Sequence, residues 1–196
     1  MDEPENLSYA ECEGGIFVTD LVEIGKNIVL LRNEQGLTQE EVAFQSNLSV
    51  SRLQTIEYGC QNATVDTLIR IASVLGIDSR VFGVFSRTDH AILSEIRQLP
   101  QFPKRKGGAL QICDNIVLLR KAENLTQKQL ACLSSMSVVR LRVIERGCAN
   151  TTTNKLLCIA EAFNLSLMRL NYLTMSEDEL MEIIRKARDR AGSRQV

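Results

Sequence analysis

The segment Thr38–Gly59, TQEEVAFQSNLSVSRLQTIEYG, carries the strongest fold signal in the chain, because it holds the start signals of two short helices. Thr38 is a favourable N-cap residue, and Glu41 three residues later completes the pattern of a capping box. Ser49 is a second N-cap, and Leu53 and Ile56 follow it at helical spacing. The pattern predicts two short helices joined by a tight turn.

The second of these helices has a polar side. Ser51, Arg52, Gln54 and Thr55 occupy much of the surface opposite its two apolar residues. A three-residue connection between two such helices is typical of a helix-turn-helix, in which the second helix is the one offered to a DNA groove. Gly59 follows as a left-handed residue that ends the helix.

The same segment occurs twice. Its second copy is Thr126–Gly147, TQKQLACLSSMSVVRLRVIERG, and the repeat relates residues 24–77 to residues 112–165 without a gap, at an offset of 88. Identical residues occupy 25 of these 54 positions. Because the identity covers both apolar positions and cap positions, we predict duplication of a whole domain of about 60 residues.

Helical periodicity and cap signals in the rest of the chain predict an all-α fold with two tandem five-helix domains. Helix one of the first domain is expected from about Ile24 to Gln35. The predicted boundaries are an acidic N-terminal tail (1–23), a first domain (24–86), a connecting helix and basic linker (87–109), a second domain (110–174) and a C-terminal amphipathic helix (175–196).

Two helices outside the repeat have an apolar stripe that needs a covering surface. The connecting helix has Ile92, Leu93, Ile96 and Leu99 on one side, and the last helix has Leu180, Ile183, Ile184 and Ala187. Each stripe either packs on its own chain or contacts another one. We expect a homodimer through these faces, with a partner protein bound to them as one alternative. The other alternative is that the two domains of one chain cover two DNA half-sites about 34 Å apart by themselves.

Charge is unevenly distributed along the chain, although the net charge is only −1. Residues 1–23 have seven acids and no base, residues 24–85 have a net charge of −1, and residues 112–170 have a net charge of +4. Phosphate contacts normally require a basic surface. On charge alone, the second domain is the better binder of a polyanion.

The six cysteines form no CxxC pair and the single histidine, His90, stands apart, so we expect no metal site and no cofactor. Cys132 and Cys158 fall on apolar helical faces and are predicted to be buried, reduced thiols of a cytoplasmic protein. Cys60 and Cys148 follow the glycine at the same point of each repeat, which leaves a thiol-sensing role open.

Other classes of protein are not indicated. The sequence has no Gly-rich phosphate loop and no nucleophile paired with a base, so we do not expect an enzyme. It also has no run of 18 apolar residues, so we expect no membrane span.

Each repeat resembles the lambda-repressor-like helix-turn-helix family, of the Cro/C1 or XRE type. The pattern that carries the resemblance is Arg32, Leu37-Thr-Gln39, Ser49-x-x-x-Leu53-x-x-Ile56-Glu57-x-Gly59 and Leu68-x-x-Ile71-Ala72-x-x-Leu75-Gly76-Ile77. It recurs as Arg120, Leu125-Thr-Gln127, Ser137 to Glu145 and Gly147, and Leu156 to Leu165. The resemblance implies two lambda-repressor-like domains that bind double-stranded DNA in a bacterial or phage transcriptional regulator.

The resemblance also implies roles for particular residues. Ion pairs of Arg32 with Glu57, and of Arg120 with Glu145, would tie helix one to the recognition helix. Gln39 and Gln127 would contact phosphate at the start of the second helix. The residues that would reach base edges are Val50, Ser51 and Thr55 in the first domain and Val138, Val139 and Val143 in the second. The full DNA-binding set is Gln39, Ser49, Val50, Ser51, Arg52, Gln54, Thr55, Asn62, Gln127, Ser137, Val138, Val139, Arg140, Arg142, Val143 and Asn150.

The two recognition helices differ in chemistry. The first offers several hydrogen-bonding side chains, whereas the three valines of the second can contact only thymine methyl groups or protein. Arg140 and Arg142 partly restore its reach to guanine or phosphate. We therefore expect the first domain to specify sequence and the second to add affinity or mediate association. The alternative function is a protein-interaction adaptor or antagonist built on the same fold.

Overall fold

The computed structural model describes residues 17–59, 63–89, 91–93, 111–147 and 151–192. The first half contains α1 (Phe17–Glu34), α2 (Gln39–Gln45), α3 (Val50–Glu57), α4 (Val65–Leu75) and a short 3-10 helix, η1 (Ser79–Gly83). The second half contains α5 (Gln111–Ala122), α6 (Gln127–Leu133), α7 (Val138–Glu145), α8 (Thr153–Ala162) and α9 (Leu167–Tyr172), followed by α10 (Glu177–Gly192). These residues are helical and form no strand, so the all-α class is confirmed for them.

Side-chain caps start the short helices at the predicted residues. The Thr38 hydroxyl accepts a hydrogen bond from the Glu41 amide (3.1 Å), and the Thr38 amide donates to the Glu41 carboxylate (2.7 Å). The bond from the Thr38 backbone lowers the pKa of Glu41. Ser49 caps α3 by accepting from the Arg52 amide alone. In the second half Thr126 repeats the reciprocal cap and Ser137 the single one.

The turn between α2 and α3 contains one left-handed residue, Asn47 (φ 55°), and its counterpart between α6 and α7 is Ser135 (φ 48°). A left-handed residue reverses the chain within the few positions available, and Asn tolerates it better than most residues. The remaining left-handed positions recur at the same offset of 88, namely Gly36 and Asn124, Gly59 and Gly147, and Gly76 and Asn164.

Equivalent apolar residues fill both halves. Ile28 of α1, Leu53 of α3 and Ile71 of α4 are fully buried in the first half. Their counterparts Ile116, Leu141 and Ile159 are fully buried in the second. Buried residues of both halves belong to one continuous hydrophobic core, so the halves pack against each other.

A buried asparagine fixes the last helix of each half. The Asn27 amide donates to the Phe82 carbonyl oxygen (2.7 Å) and its side-chain oxygen accepts from the Ser86 amide (3.2 Å). Asn115 does the same for α9 through the Leu170 carbonyl oxygen (2.8 Å). Buried polar groups are stable only when they are paired in this way.

The first helix starts earlier than predicted. It begins at Phe17 rather than near Ile24, so residues 17–23 are helical and are not part of a tail. The apolar spacing explains this, because Leu21 packs against the core one turn before Ile24 and continues the same stripe. The acidic residues near this turn obscured the pattern.

The last helix does not expose its apolar side. Leu180, Ile184 and Ala187 are buried, and the first two form a second small core with Val84, Ile92, Tyr172 and Met175. The stripes of the connecting and C-terminal helices, where the structure describes them, therefore cover each other within one chain. These buried residues do not form an exposed seam, because periodicity shows that a face is apolar but not what covers it. Ile96 and Leu99 lie outside the described residues, and a homodimer stays a prediction.

Polar contacts also join the end of the chain to the first half. The Tyr172 hydroxyl donates to the Arg80 carbonyl oxygen, and Arg188 of α10 pairs with Asp89 at 2.7 Å. Burial raises the pKa of Tyr172 well above its ordinary value. These contacts hold the end of α9 and α10 against the preceding part of the chain.

The thiols differ from the prediction. Cys132 is exposed and Cys158 is half-buried, whereas Cys113 is the buried cysteine among the described residues. Cys132 lies at the position of Phe44, which is also exposed, so this face of the second helix points to solvent in both halves. Cys60 and Cys148 lie outside the described residues.

A buried ion pair ties the first helix of each half to the third. Arg32 Nε lies 2.8 Å from Glu57 Oε1, with side chains only 10% and 2% exposed, and Arg120 Nε lies 2.6 Å from Glu145 Oε1. Arg32 also donates to the Leu37 carbonyl oxygen (2.9 Å). Removal of one partner from such a pair leaves an uncompensated buried charge.

The close approach of α1 to the carboxyl end of α3 requires Gly25. A Cβ atom built at this residue would lie 2.3 Å from the Glu57 carbonyl oxygen and 2.7 Å from that of Ile56. Both obstacles are backbone atoms, so a side chain can be accommodated only if a helix moves.

Gly25→Ala should lower the free energy of unfolding by about 1–3 kcal/mol, because overpacking against backbone outweighs the better helix propensity of alanine. Urea denaturation measures the change. Lys26→Ala, at an exposed position one residue later, is the control and should stay within about 0.5 kcal/mol of the wild type. Equal stability of Gly25→Ala and the wild type would contradict the close packing of α1 on α3.

Glu57→Gln should lower the free energy of unfolding by about 3 kcal/mol at neutral pH, because Arg32 then stays buried without its counter-charge. Glu182→Gln breaks an exposed pair with Arg185, in which the side chains of Glu182 and Arg185 are 45% and 60% exposed. It should cost much less than Glu57→Gln, because water already solvates both charges. The same denaturation experiment compares the two variants. Equal losses would show that burial does not govern the Arg32 pair.

Tyr172→Phe should cost about 1 kcal/mol at neutral pH, because it removes a buried hydrogen bond. Since burial raises the pKa of the folded phenol, its contribution is present below about pH 10, where the unfolded tyrosine ionises, and is lost as pH rises further. The wild type should therefore lose more stability than Tyr172→Phe above pH 10 in denaturation series. Tyr58→Phe, at an exposed position, should follow the wild-type pH profile.

Candidate nucleic-acid interface

The outward side of α3 is open to solvent. Leu53 and Ile56 are buried beneath the helix, Ser51 is exposed, and Gln54 and Thr55 are half-buried. The side that the sequence predicted to be polar is therefore accessible. A helix of this kind can place hydrogen-bonding groups against a surface that presents donors and acceptors.

A chain of hydrogen bonds runs from the core to this outward side in the first half. Glu57, held by Arg32, accepts from the side-chain amide of Gln39 (2.6 Å). The Gln39 oxygen in turn accepts from the Gln54 amide (3.0 Å). The start of α2 and the middle of α3 are thus connected through one glutamine, and Gln54 is held in a defined orientation.

The second half repeats this chain with a different last member. Gln127 donates to Glu145 (2.7 Å) and accepts from Arg142 Nε (3.1 Å). Arg142 occupies the position of Gln54, so a guanidinium replaces a neutral amide at the outer end. The outward side of α7 therefore has a fixed positive charge where that of α3 has none.

The anchoring role of Gln39 and Gln127 was missed by sequence reasoning, which assigned them only to phosphate. Their identity in both copies, together with that of Glu57 and Glu145, was a signal that could have shown it. In each glutamine one amide hydrogen is used by the carboxylate, which leaves the second for another acceptor. The arrangement is compatible with a phosphate contact.

Several predicted base-reading residues are less accessible than expected. Val50 and Val138 are half-buried and pack against the core, and Thr55 and Val143 are half-buried. The Thr55 hydroxyl donates to the Arg52 carbonyl oxygen (2.8 Å). Ser51 and its counterpart Val139 are the exposed members of the six.

Two residues of the predicted DNA-binding set, Ser49 and Ser137, are helix N-caps. Ser49 accepts from the Arg52 amide (3.1 Å) and Ser137 accepts from the Arg140 amide (3.2 Å). Both serines are exposed. Arg52 is half-buried and Arg140 is exposed. Asn62 and Asn150, the remaining members, lie outside the described residues, as do His90 and the KRKGG linker at 104–108.

The two halves also differ in charge beside these helices. The first turn of α2 has Glu40 and Glu41, whereas the same positions of α6 are Lys128 and Gln129, and all four are exposed. Together with Arg142, Lys128 gives the start of α6 a positive charge, whereas the start of α2 is negative. Phosphate is therefore attracted more strongly to α6 than to α2. The structure therefore places the predicted basic character of the second half next to α7.

Arg70 is a further residue that sequence reasoning missed. Its guanidinium donates to the carbonyl oxygens of Ser46 (2.9 Å) and Asn47 (3.3 Å) and pairs with Asp66 (3.1 Å). It thus holds the turn between α2 and α3 from the side of α4. The second half has Cys158 at this position, so its turn lacks the same support.

A cleft of about 540 Å³ lies between the halves. Leu68 and Leu156 contribute apolar walls, and Asp78 and Arg80 pair with each other at 2.6 Å on its rim. The described residues contain no cluster of side chains suited to a metal ion. Among them, no helix is both long and apolar enough to cross a membrane.

Comparisons with known proteins agree with this geometry. Residues 28–82 match the helix-turn-helix family model HTH_3. An uncharacterised HTH-type transcriptional regulator, y4dJ of Sinorhizobium fredii, is 46% identical over 54 residues, which are 28% of this chain and 70% of that protein. The HTH-type transcriptional regulator RamB of Mycobacterium tuberculosis is 34% identical over 76 residues, which are 39% of this chain but only 16% of RamB. No solved structure gives a significant match. The chain has the capped pair of short helices and matches y4dJ over most of the length of that protein. It therefore belongs to the XRE-type helix-turn-helix family.

Proposed function

We propose that the chain is a sequence-specific DNA-binding transcriptional regulator with two helix-turn-helix domains, in which α3 supplies most of the base readout and α7 adds affinity or association. The observation that carries this proposal is the open outward side of α3, held by the buried pair of Arg32 and Glu57. The names of the relatives, both HTH-type transcriptional regulators, support the same conclusion.

The chemistry of α3 suits the major groove. Ser51 is exposed at the start of the helix, and Gln54 is held by Gln39 with its oxygen left to accept a further bond. A glutamine amide presents a donor and an acceptor side by side, which is the pattern of an adenine edge. One N–H of the Gln54 side chain already donates to Gln39. We therefore expect Gln54 to make one contact to a base edge, through its oxygen or its second N–H.

The chemistry of α7 suits phosphate better than bases. Arg140 and Arg142 are exposed, and Lys128 lies at the start of the neighbouring α6. Positive side chains at exposed positions release counterions when they meet a duplex, and this gain does not depend on sequence. Val139, which precedes Arg140, is exposed and adds apolar surface without a hydrogen bond.

The alternative function is a protein-interaction adaptor or antagonist. It is favoured by one observation, the exposure of Leu133 (57%) and Val139 (68%) in the second half. Electrophoretic mobility shift on random duplex DNA separates the two functions. A regulator retards the duplex at low salt and releases it steeply as salt rises, whereas an adaptor shows no retardation at any salt concentration.

Paired substitutions test the division between the two helices. Ser51→Ala with Thr55→Ala should reduce the preference for the selected site over random DNA by about 1–3 kcal/mol per lost base contact, and should leave affinity for random DNA unchanged. Arg140→Ala with Arg142→Ala should weaken binding to all sequences and lower the slope of log K against log [salt] by about 2. Fluorescence anisotropy with both duplexes at several salt concentrations measures both effects.

The matched control for the arginine pair is Arg185→Ala with Lys186→Ala. It removes two exposed positive charges from α10, which belongs to neither helix-turn-helix unit. The slope of log K against log [salt] should therefore stay unchanged. The proposed division fails if the serine and threonine variant weakens all sequences equally while the arginine variant alone changes site preference.

A further inference from the structure

The two halves meet through a reciprocal pair of backbone hydrogen bonds. The Val65 amide donates to the Thr151 carbonyl oxygen at 3.0 Å, and the Thr153 amide donates to the Ala63 carbonyl oxygen at 2.9 Å. Between these bonds, Thr64 and Thr152 form an antiparallel bridge. The offset of 88 makes Thr151 the equivalent of Ala63 and Thr153 the equivalent of Val65. The amide of each half at this position therefore donates to the equivalent carbonyl oxygen of the other half.

Reciprocity of this kind defines the symmetry of the contact. In a head-to-tail arrangement one half would offer one surface and the other half a different one, and equivalent residues would not meet. When residue i contacts residue j and the equivalent of j contacts the equivalent of i, a local two-fold axis relates the partners. Here that axis passes between Thr64 and Thr152.

Side chains nearest the bridge follow the same symmetry. Leu68 and its equivalent Leu156 both line the cleft between the halves, as do Val65 with Thr153 and Ser79 with Leu167. The rest of the lining comes mainly from the first half, so the contact is two-fold at its centre and one-sided farther out. This observation does not depend on the backbone hydrogen bonds.

We infer that one copy of the chain binds a DNA site composed of two unlike half-sites in inverted orientation. This inference rests on the proposed function, and it specifies the architecture of the target. A pair of helix-turn-helix units related by a two-fold axis matches a duplex whose half-sites are inverted, because the duplex has its own two-fold axis. Units related by translation would match a direct repeat instead.

The half-sites are unlike because the helices that face them are unlike. At three equivalent outward or half-outward positions, α3 has Ser51, Gln54 and Thr55 where α7 has Val139, Arg142 and Val143. The first set can read donor and acceptor patterns, and the second can contact thymine methyl groups, guanine or phosphate. The target is thus an imperfect inverted repeat.

The length of chain between each helix and the axis limits the spacing. Glu57 ends α3 seven residues before Thr64, and Glu145 ends α7 seven residues before Thr152. Seven residues span at most about 25 Å, and half of an eight-residue helix adds about 6 Å. Half-sites one turn apart place each helix about 17 Å from the axis, within this limit, whereas two turns require about 34 Å and exceed it.

A second copy is not needed to cover apolar surface at α10. The faces of Leu180, Ile184 and Ala187 are buried within the chain. One chain therefore supplies both helix-turn-helix units for one site.

The first test is selection of bound fragments from random duplex DNA by the full chain, followed by native mass spectrometry of the complex. An imperfect inverted repeat with half-site centres about 10 base pairs apart, bound by one chain, is the expected result. A direct repeat, a single half-site, or two chains per duplex would overturn the inference while leaving sequence-specific binding intact. Failure to enrich any sequence would refute the proposed function instead.

The second test removes the reciprocal bonds without removing a helix. Val65 and Thr153 are the first residues of α4 and α8, where proline is well tolerated because its missing amide is not needed within the helix. The preceding threonines have extended backbone (ψ 156° and 150°), which a following proline permits. The variant Val65→Pro with Thr153→Pro therefore loses the two reciprocal backbone bonds, together with the bond from the Thr153 hydroxyl to the Ala63 carbonyl oxygen (3.1 Å). It keeps the shared core and the bond from Tyr172 to Arg80.

A five-base-pair insertion between the half-sites measures how rigidly the halves are coupled, since it turns one half-site to the opposite side of the duplex. The wild type should lose about 100-fold in affinity on this insertion, because only one half can then bind. The proline variant should lose less than about 10-fold. An unchanged ratio for a folded proline variant would show that the reciprocal bonds do not set the arrangement.

The matched control is Val65→Thr with Thr153→Val, which exchanges the two equivalent side chains and keeps both amides. It should retain the wild-type response to the insertion. Circular dichroism and thermal melting establish that each variant is folded. If the proline variant does not fold, the orientation and stoichiometry found with the wild type decide the inference.

Discussion

The buried pair of Arg32 and Glu57 is the constraint on which the position of α3 depends. Opposite charges removed from water contribute to a fold only when their remaining donors and acceptors are satisfied. Here Arg32 also donates to the Leu37 carbonyl oxygen, and Glu57 also accepts from Gln39. A helix of eight residues is too short to be stable alone. Its place on the surface is therefore set by this pair and by the burial of Leu53 beneath it.

The second half keeps this inner arrangement and changes what lies outside it. The glutamine and glutamate contacts have nearly the same lengths in both halves, but their third member is Arg142 where the first half has Gln54. The inner ion pair is not disturbed by the added charge. The position of the helix and the chemistry of its outward side are thus separate properties. A repeated unit can change the outward side chains while it keeps the helix in place.

Local signals explain how much of the fold could be predicted. Thr38, Ser49 and Thr64 cap helices because each has a side-chain oxygen at the start of an apolar pattern, and such patterns are readable from a few neighbouring residues. The covering of Leu180 and Ile184 by Val84 and Ile92 joins residues about 90 to 100 positions apart, and no local pattern contains that information. For the same reason, the site's residue types were predictable from the sequence, whereas the orientation of Gln54 by Gln39 and the support of the turn by Arg70 were not.

The contacts that join the halves are of two kinds, and their difference bears on how a duplicated chain diverges. The backbone bonds around Thr64 and Thr152 are symmetric, whereas the bond from the Thr153 hydroxyl to Ala63, the bond from Tyr172 to Arg80 and the packing of α10 on the first half run in one direction only. Covalent linkage already raises the effective concentration of one half near the other to the millimolar range. Symmetric contacts therefore need to fix orientation rather than supply affinity, and the one-way contacts can be added without a matching change in the other half. In the proposed one-chain arrangement, the two outward helices can differ as far as Ser51 and Val139 do.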